Sequence, residues 1–103
     1  MSLRLVLSAR AEKEALTAAR WYAQRSLGLD DRFRIALKNC LNAVLERPWS
    51  FPTVAKGVRQ ARVKVFPFVV VYKTFAEEVF VISVFHERRD PGTKLRVLKG
   101  RRR

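Results

Sequence analysis

The rhythm of apolar and polar positions changes three times along this 103-residue chain. Leu3, Leu5 and Leu7 alternate with Arg4 and Val6, the period-two pattern of a strand with at least one buried face. From about Ala9 to Ser26 the spacing becomes helical, with Ala11, Ala15, Ala18 and Tyr22 on one face and no glycine or proline until Gly28. Ser8 offers a side-chain oxygen to cap this helix, and Glu12 and Glu14 complement the positive end of its dipole. The alanines are small enough to admit a close neighbour, expected to be the next helix. That second helix, capped by Asp30 or Asp31, carries Phe33, Ala36, Leu37, Cys40, Leu41, Val44 and Leu45 in one stripe and stops before Pro48. So short a turn predicts an antiparallel helical hairpin.

Between Pro48 and Gly57, two prolines, a glycine, Trp49 and Phe51 predict an ordered connection packed by its own side chains. Alternation then returns. Arg59, Ala61, Val63 and Val65 face one way, and Val58, Gln60, Arg62 and Lys64 the other. Phe66 to Phe75 and Val79 to Phe85 are nearly continuous β-branched and aromatic runs separated by a turn at Ala76, Glu77 and Glu78, and read as central strands covered on both faces. The order predicts an α+β fold: an N-terminal strand, an antiparallel helical hairpin, then a three-stranded antiparallel meander. The hairpin covers one face, and the first strand joins the sheet as an edge.

Composition narrows the partners more than the fold. With 49% hydrophobic residues the chain can fill one core, so a single domain is expected over residues 1–98, followed by a basic tail at 99–103. Lysine and arginine number 22 against 9 acidic residues, a net charge of +13 suited to a polyanion or an acidic protein. The excess is steepest from Glu87 to Arg103, where eight basic residues stand against Glu87 and Asp90. One cysteine, Cys40, permits no intrachain disulfide and no cysteine-built metal site, and its apolar neighbours make it a buried filler. The longest apolar run, Val65 to Tyr72, is interrupted by Pro67 and is too short to span a bilayer. The N-terminal patch, broken by Arg4, reads as a strand and not as a signal peptide. A cytoplasmic protein without metal or cofactor is expected.

Several short motifs occur together. They are Trp21-Tyr22 late in the first helix, Gly28 and Phe33 across the helix junction, Pro48-x-x-Phe51-Pro52, Phe66-Pro67-Phe68, and His86-Glu87-Arg88-Arg89-Asp90-Pro91. In this order and spacing the chain resembles the ParE/RelE superfamily of toxins over about residues 3 to 96, and the last motif resembles the ParE-like branch more closely. Each piece also has a purely structural reading. Trp21 and Tyr22 pack the hairpin, Pro48 ends a helix, and Phe66 and Phe68 fill the core.

The resemblance implies the toxin of a type II toxin–antitoxin, or plasmid stabilisation, module, neutralised by an acidic ParD-like antitoxin. ParE-like members bind DNA gyrase and trap it on cleaved DNA. On that branch no catalytic centre is expected, and Arg88, Arg89, Lys94 and Arg96 become candidate target contacts, with a solvated basic tail as the plain alternative. RelE-like members instead cleave messenger RNA on the ribosome, for which Arg62, Lys64, His86 and Arg88 are the candidate catalytic set if they converge on one sheet face. The absence of a tyrosine after His86 departs from that branch. A basic domain that binds nucleic acid without toxicity is the third reading, though no known reading motif accompanies it.

Overall fold

Ser8 joins the first strand, the first helix and the centre of the sheet. Its Oγ accepts the Ala11 amide at 2.9 Å, capping the helix, and donates to the Ile82 carbonyl at 2.7 Å, while its own amide reaches the Val81 carbonyl at 2.9 Å. A computed structural model describes residues 3–89. The elements are β1 (Arg4–Leu7), α1 (Ala9–Arg25), α2 (Leu29–Glu46), β2 (Thr53–Ala55), β3 (Val58–Arg62), β4 (Phe68–Thr74) and β5 (Glu78–His86). The sheet runs β1-β5-β4-β3-β2, with β1 parallel to β5 at one edge and every other pair antiparallel. This is the α+β arrangement expected from the sequence.

Three details differ from expectation. Asp30 and Asp31 do not cap α2. Gly28 does, at φ 82° in the left-handed region, because the tight connection after α1 needs a conformation that a side chain would strain. The two aspartates lie in the first turn, where they still complement the helix dipole. The connection after Pro48 contains the short strand β2, so the meander has four strands. β2 pairs Thr53 with Arg59 and Ala55 with Val58 across an irregular register, and Gly57 at φ 71° serves the turn. In the same connection Phe51 packs near Tyr72, whose hydroxyl donates to the Pro48 carbonyl at 2.7 Å, but Trp49 is 64% exposed.

The third difference is the end of β3, which stops at Arg62, short of Val65. Pro67 has no amide to donate, Val63 already bonds the Phe68 carbonyl, and the Phe68 amide turns back to Phe66 at 2.8 Å. The ladder therefore cannot continue. Lys64 lies on a loop, and Val65 takes φ 75°, a conformation that costs a β-branched residue about 1–3 kcal/mol.

The main core lies between the helices and one sheet face. Ala11, Ala18, Ala19 and Tyr22 of α1 and Phe33, Leu37, Cys40 and Val44 of α2 meet Val70, Tyr72, Val79, Val81 and Val84. The small residues of α1 allow that helix to pack against both α2 and β5. A second cluster, Val58, Val69, Val71 and Phe85, occupies the opposite face, so β4 is buried on both sides as its composition predicted. Glu14 pins α1 to β5: its carboxylate accepts the Ser83 hydroxyl at 2.7 Å and the Val84 amide at 2.8 Å. The sequence had offered only a dipole role for Glu14.

Candidate functional site

The turn after β5 is built by histidine and glutamate as much as by arginine. His86 closes β5 opposite Phe68, and their rings meet edge to face with centroids 5.2 Å apart. Its Nδ1 accepts the amides of Arg88 and Arg89 at 3.1 and 2.9 Å, so that nitrogen acts as an acceptor and a neutral ring carries its proton on Nε2. Glu87 receives both terminal nitrogens of Arg62, at 2.5 and 3.0 Å. Arg62 is 68% exposed at its side chain, so this fork pair contributes at most about 1 kcal/mol to stability, but it fixes where the guanidinium points.

Behind the turn stands an aromatic block. Tyr22 lies within 4.9 to 6.2 Å of the rings of Trp21, Phe33, Phe66 and Phe68. Burial pushes the Tyr22 phenol upward, with Arg89 pulling the other way. Trp21 carries two cations: the Arg25 guanidinium carbon is 4.0 Å from its ring centroid and that of Arg89 is 4.8 Å away.

The candidate catalytic set is gathered only in part: Arg62 and Lys64 line one groove, but the register puts Arg62 and His86 on opposite faces of the sheet. Arg62 pairs with Val69, and Val69 with Phe85, on the face away from the helices, whereas His86 pairs with Phe68 on the helix face. Lys64 is on the loop beyond β3, and Arg88 is exposed in the turn after β5. Of the candidate target contacts, Arg88 and Arg89 are brought together with exposed side chains, while Lys94, Arg96 and the 99–103 tail lie outside the described residues. Among the described residues no cluster of histidine, cysteine, aspartate and glutamate could hold a metal, and no helix is long and apolar enough to cross a membrane.

A second region was not anticipated. Between α2 and the β3–β4 loop runs a groove of about 770 Å³ floored by Leu29, Ala36, Cys40, Ala43, Phe51 and Phe66. Arg32 and Arg47 border it from the α2 side and Lys64 from the loop, with Arg62 at the end of β3, and none of its lining residues is acidic. Ile35 and Val65, 60% and 96% exposed, also line it. Periodicity had assigned the buried stripe of α2 correctly, but an exposed Ile35 beside it carries no sequence signal of its own. The pairing of Trp21 with Arg25 was not read from the sequence, although their i, i+4 spacing on α1 is a signal for it. Arg89 joins them only through the tertiary fold.

These features occur in a chain whose residues 5–91 match the ParE toxin of type II toxin–antitoxin system, parDE, and the chain belongs to that family. Its fold is similar to a solved chain of the chromosomal ParDE TA system from P. aeruginosa, with a TM-score of 0.61, covering 82% of this chain and 96% of that one. At 14% identity that likeness speaks for the fold alone. No curated protein matches in sequence.

Proposed function

We propose that this ParE-family protein acts by binding, with DNA gyrase as its target, and that an acidic ParD-like antitoxin neutralises it in the cytoplasm. The observation that carries this reading is family membership across residues 5–91 combined with an exposed arginine pair at the end of β5. The register puts Arg62 and His86 on opposite faces, and the Arg62 guanidinium is engaged by Glu87, both of which weigh against the ribonuclease alternative.

The groove along α2 supports the antitoxin part. Its apolar floor suits the buried face of a helix or extended segment, and its basic border suits acidic residues on the flanks of that segment. Induced expression in a gyrase-dependent bacterial host, with and without the antitoxin, tests the proposal. Growth arrest with a DNA damage response, intact transcripts and rescue by the antitoxin supports it. Arrest with cleaved messenger RNA would replace it with the ribonuclease reading.

A further inference from the structure

Trp21 is the place where the first helix holds the chain that leaves the last strand. Arg25, one turn further along α1, reaches the indole locally, but Arg89 comes from the opposite end of the sequence. Two like charges beside one side chain repel each other, and the attraction of each guanidinium to the ring offsets that repulsion. Arg89 is also held at its backbone, where its amide donates to His86 Nδ1. Held at its main chain and drawn to the ring at its side chain, it keeps less rotamer freedom than an exposed arginine otherwise has.

A guanidinium held over a ring keeps its charge and those N–H donors that do not face the ring, in the fork geometry that matches a carboxylate or a phosphate. An arginine already ordered in that way binds without having to give up its freedom at the moment of contact. Arg88, exposed beside it and held by the same histidine, is oriented by the same turn.

We propose that Trp21 is a positioning residue for target recognition, acting through Arg89: it holds the Arg88-Arg89 pair in a binding-ready orientation while leaving the α2 groove untouched. This rests on the target reading above. It implies that the protein's two binding activities are separable, with the end of β5 and Trp21 serving the target and α2 with the β3–β4 loop serving the antitoxin.

The test uses the full-length toxin, purified away from its antitoxin, and reads the concentration that half-inhibits gyrase supercoiling, the antitoxin affinity, and the fluorescence of Trp21 in a Trp49→Phe background. Trp21→Leu should raise the half-inhibitory concentration roughly three- to tenfold, and Trp21→Phe, which keeps an aromatic face, should restore most of it. Arg89→Ala alters an exposed residue and should fold normally. It should change the Trp21 emission and weaken inhibition at least as much as Trp21→Leu, and the double variant should be no weaker than Arg89→Ala alone. Antitoxin affinity should stay within about twofold throughout, because neither Trp21 nor Arg89 lines the α2 groove.

Independent losses that multiply in the double variant, unchanged inhibition by Trp21→Leu, or Trp21 emission indifferent to Arg89→Ala would each overturn the proposal. Wild-type protein without effect on gyrase would remove the target reading and this proposal with it. Inhibition that survives Trp21→Leu would remove this proposal alone.

Discussion

Arg62 and His86 stand on opposite faces of the sheet. The ladder fixes this, because Arg62 is carried through Val69 to Phe85, and His86 is carried to Phe68 on the other side. Arg62→Ala should therefore leave toxicity within a few-fold of wild type, losing only an exposed ion pair of about 1 kcal/mol or less. His86→Ala should loosen the turn that orients Arg88 and Arg89, weakening toxicity without changing transcript integrity. Transcript mapping after induction of each variant is the check. A loss of messenger RNA cleavage in both would contradict this placement.

The groove along α2 makes a prediction about charge. Reversing Lys64 or Arg32 to glutamate should weaken antitoxin binding by about three- to tenfold each and flatten its salt dependence, because charges at the border of an interface act mainly on association and screening. Ile35→Asp should weaken it further by placing a charge against the apolar floor. Titration of each purified variant with the antitoxin at two salt concentrations reads the effect, and unchanged affinity in all three would place the antitoxin elsewhere.

Cys40 and Tyr72 give the fold an alkaline limit. Burial pushes the thiol from 9.0 up to about 11 and the phenol from 10.0 up to about 12. The folded protein thus holds these protons more tightly than the unfolded chain does. The stability they contribute is intact below about pH 9 and is lost as pH rises through the folded values, amounting to about 2–3 kcal/mol for each group. Chemical denaturation at pH 8 and pH 11 should show the loss, and Cys40→Ala should remove part of it. At neutral pH the thiol should resist alkylation until the protein is unfolded.

Val65 is an exposed β-branched residue held at φ 75°. Val65→Gly should stabilise the protein by roughly 0.5–2 kcal/mol, because relief of strain exceeds the added freedom of glycine in the unfolded chain. A thermal melt reads this directly, and a lowered melting temperature would contradict the account of that loop.

Periodicity made most of this fold legible. Ser8 caps α1, the stripes of both helices are buried, and the two β-branched runs became β4 and β5. It failed where geometry depends on a partner distant in sequence. Three residues of β2 have no pattern until β3 lies beside them, and β3 ends early because Pro67 withholds an amide from the opposite chain. The candidate site follows the same division. Arg88 and Arg89 were read from a local motif, but the contact of Arg89 with Trp21 and the face on which Arg62 falls are properties of the tertiary fold.

The central claim is that the protein poisons by binding, and gyrase itself tests it most directly. Purified toxin added to gyrase and relaxed plasmid should reduce supercoiling and accumulate enzyme-linked cleaved DNA, and stoichiometric antitoxin should reverse both. Full gyrase activity at saturating toxin, together with cleavage of messenger RNA on ribosomes by the same preparation, would contradict it.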